Sequence, residues 1–149
     1  MSFDLLIKGG TVVDGSGMPA YRADVGVKHG RIVQIGRLAG QRADEVVDAQ
    51  GQVVAPGFID GHTHMDAQVA WDPLGTCSCY HGVTSVVMGN CGFTLAPCRS
   101  DERDLVMRNL ERAEDISPAA MAAGIDWTWE TFPEYLDAVE AFPKGINYA

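Results

Sequence analysis

Basic residues are scarce: 11 Lys and Arg stand against 20 Asp and Glu, a formal net charge of −9 over 149 residues. No basic run is present, so the cation clusters that phosphate backbones require are missing and nucleic acid is excluded as a partner. The acidic residues are scattered rather than blocked, which describes a solvated surface and not an acidic tail. Long apolar runs are lacking too. Nothing approaches the roughly 18 apolar residues of a membrane span, and Met1-Ser2-Phe3-Asp4 opens without the positive stretch of a secretory signal. A cytoplasmic location with no membrane partner is therefore the expectation. Cysteine is sparse, with four thiols at positions 77, 79, 91 and 98, far below the ~8–10% of secreted disulfide scaffolds, so free or metal-bound thiols are expected. Cys77 and Cys79 read as small packing residues on a helix, and Cys98, behind a proline, as an inert thiol. With 46% hydrophobic and 21% charged residues, the composition is that of an ordinary globular segment.

What is present begins with a unit of short strands, residues 1–55. Leu5 to Val13 is apolar around Gly9-Gly10 and ends at the turn signal Asp14-Gly15. Asp24 to Lys28 and Arg31 to Ile35 alternate with period two on either side of His29-Gly30, which predicts a hairpin. Val46-Val47 and Val53-Val54 flank Gln50-Gly51-Gln52 and supply two further strands. The glycines between Gly9 and Gly17 lack both Gly-Lys-Ser/Thr and the G-x-G-x-x-G spacing before a helix, so they read as turn chemistry and not a phosphate loop.

The stretch Gly57-Phe58-Ile59-Asp60-Gly61-His62-Thr63-His64 places two imidazoles one residue apart at the end of a short apolar run. In an extended chain, residues i and i+2 share a face, so His62 and His64 can meet one metal ion. Taken alone, the pair is a weak signal that two exposed surface histidines would also give. About 20 residues on, the β-branched run Gly82-Val83-Thr84-Ser85-Val86-Val87-Met88 predicts a second buried strand, and Cys91 follows its carboxyl end as His64 follows the first. In α/β folds that edge carries the chemistry, and neighbouring parallel strands would bring Cys91 beside the histidines. Asp60 and Asp66, on either side of the histidine pair, are candidates to orient an imidazole by hydrogen bonding. His29 and His81 read as structural or solvated.

The phrase "APGFIDGHTHMD" resembles the first-strand motif of the amidohydrolase superfamily, and "GVTSVVMGNCGFTLAP" resembles the second-strand motif of its D-aminoacylase branch, the N-acyl-D-amino-acid deacylases. "DLLIKGGTVVDGSG" and "WTWETFPEYLDAVE" are similar to the same branch. The resemblance implies an α/β fold: the opening part of a TIM-like (β/α)8 barrel over residues 56–149, preceded by a small β-sandwich-type domain over residues 1–55. It implies one or two zinc ions, with Cys91 as a ligand and His62 and His64 binding or bordering a second position. It also implies a zinc-activated water that deacylates N-acyl-D-amino acids as small-molecule substrates. A complete barrel needs roughly 250 residues, so only the first two βα units and the start of a third fit. Two further histidines and the general-base aspartate would lie beyond residue 149, none of the present residues is the catalytic base, and this chain alone is expected to be inactive. Two alternatives stay open: a dihydroorotase-like or hydantoinase-like hydrolase of cyclic amides, and a non-enzymatic zinc module using His62, His64, Cys91 and Cys98.

Past Cys91 the pattern turns helical. Ser100 is the expected N-cap of a helix bearing Leu105, Val106, Leu110 and Ala113 on one face. A short helix from Pro118 to Ala123 should be capped by Gly124, and Thr131 should cap another from Pro133 to Phe142. Trp127, Trp129, Phe132 and Tyr135 suit either helix packing or a pocket wall. Ile146 should start a third strand.

Overall fold

Strand β1 (Ser2–Val12) is the spine of the first unit, Met1–Pro56, in a computed structural model that describes residues 2–149. It pairs antiparallel with β2 (Tyr21–Lys28), which pairs antiparallel with β3 (Arg31–Gly36). On its other edge β1 takes β4 (Arg42–Asp48) and then β5 (Val53–Val54), both parallel. The expected hairpin closes at His29 and Gly30, both with positive φ (51° and 70°), the conformation that a two-residue primed turn demands. The register of β1 slips between Ile7 and Gly10, and Gly9 supplies the left-handed residue (φ 70°) of that bulge. Two small clusters form the core: Phe3, Leu6 and Leu38 in one, Val12, Ala23 and Val25 in the other.

Asp24 holds the bulge in place. Its carboxylate accepts the Gly9 N–H at 2.8 Å and the Leu38 N–H at 2.9 Å. These backbone donors keep the carboxyl below its ordinary range, the Leu38 bond contributing most. Because the folded value lies below the unfolded one, the stabilisation is present above the ordinary carboxylate value, about 3.9, and is lost as the pH falls through the lower, folded value. Urea melts of the wild type and Asp24→Ala should therefore differ near neutrality by about 1–3 kcal/mol, the usual cost of stranded partners, and converge as the solution is acidified below that window. A gap that is constant down to strong acid would contradict this role.

The second unit, Gly57–Ala149, contains three adjacent parallel strands in chain order: β6 (Phe58–Asp60), β7 (Val83–Val86) and β8 (Asn147–Tyr148). A 3-10 turn (Gln68–Ala70) and α1 (Thr76–Cys79) connect β6 to β7; α2 (Arg103–Glu114), α3 (Pro118–Gly124) and α4 (Phe132–Ala141) connect β7 to β8. The chain is thus mixed α/β, and its second unit repeats strand–helix–parallel strand twice. Gly145 sits hard against the chain at Leu74, where an added Cβ would lie 2.5 Å from the Leu74 carbonyl oxygen.

The helices depart from the sequence expectations in three places. First, α2 starts at Arg103, not after Ser100, because residues 99–102 are taken up by a turn in which the Glu102 N–H reaches the Arg99 carbonyl. Its buried face is correspondingly Met107 and Leu110, with Leu105 60% exposed and Ala113 also outside. Second, Gly124 is the last residue of α3 and not a left-handed cap; the chain leaves extended at Ile125. The glycine serves packing, since a Cβ there would meet the Trp71 ring at 2.9 Å. Third, Cys77 is exposed, leaving only Cys79 to pack. Thr131 does cap α4: its Oγ1 accepts the Glu134 N–H while Glu134 Oε2 accepts the Thr131 N–H, a reciprocal capping box.

The core of this unit gathers Val69, Leu95, Met107, Leu110, Met121, Trp129, Tyr135 and Val139. Trp129 and Tyr135 are packing residues: the Trp129 indole N–H donates to the Leu95 carbonyl at 3.0 Å, and the Tyr135 hydroxyl donates to the Asp66 carbonyl at 3.1 Å. Among the described residues, no helix is long and apolar enough to cross a membrane.

Candidate metal centre

The ladder between β6 and β7 continues past both strands and carries the reactive side chains with it. The Val87 N–H donates to the Asp60 carbonyl at 2.9 Å, and the Thr63 N–H and hydroxyl both donate to the Val87 carbonyl, at 3.1 and 2.8 Å. Thr63 is buried, whereas its neighbours His62 and His64 are exposed and half-buried. The loop after β7 is then tied back twice. The Asn90 side-chain amide donates to the Gly61 carbonyl, and the Gly89 N–H donates to Asp66 Oδ2 at 3.1 Å. Gly89 and Gly92, with φ of 74° and 84°, bracket Asn90-Cys91, so the turn that presents the thiol needs a backbone that only glycine adopts without strain.

These ties bring His62, His64 and Cys91 together, with one ligand atom from each lying within 4.8 Å of the others. An ion with Zn–N near 2.1 Å and Zn–S near 2.3 Å spans up to about 4.4 Å between two donors, so small side-chain rotations close the group around one ion. The donor chemistry fits. Two imidazoles and a thiol are borderline-soft ligands, and a three-residue set leaves a coordination position open, as hydrolytic zinc sites do. The imidazole rings lie 5.7 Å apart, and that of His64 packs 6.0 Å from Phe93. His64 and Cys91 are half-buried, while His62 is exposed.

Among the described residues, neither flanking carboxylate is hydrogen-bonded to an imidazole. Asp60 accepts the backbone N–H of His62 at 3.2 Å, an Asx-type turn contact. Asp66 is buried, 3% exposed, and its carboxylate is engaged by Gly89. Burial pushes its carboxyl above the ordinary range, with the Gly89 hydrogen bond opposing that shift. The carboxylate that does meet an imidazole is Glu114, at the end of α2, whose Oε1 faces His64 Nδ1. A signal for it exists in the sequence: Glu114 continues the Met107, Leu110 stripe at helical spacing, and a carboxylate on a buried stripe requires a partner. Cys98 lies outside the group, buried, with its thiol donating to the Arg99 carbonyl at 3.4 Å and pushed up by burial. His29 and His81 are exposed.

Residues 45–146 match the profile of the Amidohydrolase family. The chain belongs to that family. It is 43% identical over 148 residues to a D-aminoacylase of Alcaligenes xylosoxydans xylosoxydans, covering 99% of this chain and 28% of that protein. The crystal structure of an N-acyl-D-glutamate deacylase from Bordetella bronchiseptica, complexed with zinc and a phosphonate mimic of the tetrahedral intermediate, superposes with a TM-score of 0.78. Identity there is 36%, with all of this chain and 29% of that one covered. A structure of D-aminoacylase described by its binuclear metal centre gives a TM-score of 0.75 at 37% identity, over 99% of this chain and 29% of that one. This amidohydrolase chain thus spans under a third of the length of these relatives.

Proposed function

We propose that this chain supplies the first metal ligands of a zinc-dependent amidohydrolase that cleaves the linear amide of N-acyl-D-amino acids. The single observation that carries the reading is the convergence of His62, His64 and Cys91 at the carboxyl ends of two adjacent parallel strands. The relatives strengthen it, being deacylases of this substrate class with zinc or a binuclear metal centre. In this reading, β6 to β8 open a (β/α)8 barrel. The first unit is one part of a composite β-sandwich, for which the exposed Ile32, Val33, Val46 and Val53 provide apolar surface. The setting is a cytoplasmic one.

His62, His64 and Cys91 would hold the metal, which when bound lowers the pKa of its water and polarises the acyl carbonyl. Cys91 enters that site as thiolate, contributing a negative charge that two neutral imidazoles cannot. Thr63, Asn90 and Asp66 position the two loops. Asp66 and Glu114 are both engaged and so are not available as general base. We assign that role to the part of the relatives' length that this chain does not span.

The test is a chimera in which these 149 residues replace the matching segment of the Alcaligenes D-aminoacylase. It should release free amino acid from N-acetyl-D-methionine and not from a hydantoin, while the 149-residue chain alone should release none. A folded, zinc-loaded chimera without deacylase turnover would overturn the assignment, and ring opening in place of deacylation would redirect it to the cyclic amides.

A further inference from the structure

Glu114 is a buried charge with one reason to be where it is. Its side chain is 15% exposed, and its Oε1 is sealed from solvent without a hydrogen-bond partner in place, facing the His64 imidazole at Nδ1. A carboxylate in that position is costly unless paired, and α2 is built to bring it there. Met107 and Leu110 anchor the same helix face in the core, and the helix stops one residue later at Asp115, which takes a left-handed conformation (φ 55°). The His64 ring also lies 6.0 Å from that of Phe93, so the imidazole has both a carboxylate and an aromatic as neighbours.

A neutral imidazole carries its proton on either nitrogen, and the partner of one nitrogen decides which of them is free as a ligand. We infer that Glu114 is a positioning residue for the metal centre: it accepts a hydrogen bond from Nδ1–H of His64 and so fixes the tautomer and ring plane in which Nε2 is the ligand atom. The inference rests on the proposed metal role of His64. The contact of Glu114 with the donor group is to His64, so its effect on chemistry runs through that ring.

The experiment uses the 149-residue chain, uniformly labelled with nitrogen-15, in mildly alkaline buffer. Long-range proton–nitrogen correlation spectra of the metal-free chain, with His64 assigned by a His64→Gln control, should show it as the Nδ1–H tautomer. Titration with cobalt(II), read through the thiolate-to-metal charge-transfer band, should show Glu114→Ala binding about 10- to 100-fold more weakly than the unsubstituted chain. Glu114→Gln, whose amide oxygen can still accept the hydrogen bond, should recover part of that loss. A His64 with its proton on Nε2 in the unsubstituted chain overturns the inference, as does Glu114→Ala binding cobalt as tightly as wild type. Failure of the unsubstituted chain to bind cobalt at all overturns the metal-centre reading instead, and the tautomer, read without metal or substitution, still decides the role of Glu114.

Discussion

Replacing Cys91 with alanine is expected to remove most of the zinc affinity of this chain. Structural zinc sites bind with apparent free energies of about 10–16 kcal/mol, which spread over about four ligands is about 3 kcal/mol each, or about a hundredfold in affinity. The thiolate should carry at least that share, because it is the only anionic donor in the group. Zinc occupancy after dialysis, measured by plasma emission, should fall from near one equivalent to background in Cys91→Ala. Cobalt(II) added to the variant should show no thiolate charge-transfer band. Cys98→Ala is the matched control: its thiol lies outside the donor group, turned to the Arg99 carbonyl, so both readouts should stay at wild-type values. Loss of the band in Cys98→Ala and not in Cys91→Ala would transfer the ligand to position 98 and undo the geometry on which the centre rests. Equal occupancy in wild type and Cys91→Ala would do so too.

The parts of this centre that could be read from the sequence are those fixed by local periodicity. His62 and His64 can share a face because an extended chain alternates, and Cys91 sits past the next strand because the β-branched Val83, Thr84, Val86 and Val87 mark where that strand runs. Hydrogen bonds between those strands then bring the two loops together. The His29-Gly30 hairpin was legible for the same reason, as a turn signal between two alternating runs. The roles of the surrounding residues were not legible, because they are set by partners distant in the chain. Asp66 looks like a partner for a neighbouring histidine, yet it bonds the amide of Gly89, 23 residues on. Glu114 lies 50 residues from His64 and is marked only by a charge on an apolar stripe. The phase of α2 is not legible for the same reason: Leu105 and Met107 are similar in apolarity, and the choice between them belongs to the core formed by Met121, Trp129 and Leu95, not to the helix itself.

That core sets the second large expectation, which concerns Trp129. Its ring is 3% exposed, lies 5.2 Å from Trp127 and 5.1 Å edge-on from Tyr135, and its N–H satisfies the Leu95 carbonyl. Trp129→Ala should cost about 3–5 kcal/mol through lost burial and the cavity left behind, with about 1 kcal/mol or more from the stranded carbonyl. For a unit of this size, that is a fall of about 16 °C or more in the midpoint of a circular dichroism melt. Trp129→Phe keeps an aromatic in place and gives up the donor, so a loss of about 1–2 kcal/mol is expected. The consequence should reach the metal centre by a defined route. Tyr135 packs on Trp129 and donates to the Asp66 carbonyl, Asp66 holds Gly89, and Gly89 opens the turn that presents Cys91. Trp129→Phe, folded at 25 °C, should therefore keep cobalt affinity near wild type, whereas Trp129→Ala, studied well below its midpoint, should bind cobalt more weakly. If the alanine variant melts within about 1 kcal/mol of wild type, the indole is not the keystone its burial makes it. If it melts early yet binds cobalt with undiminished affinity, the route through Tyr135 and Asp66 does not carry order to the thiol.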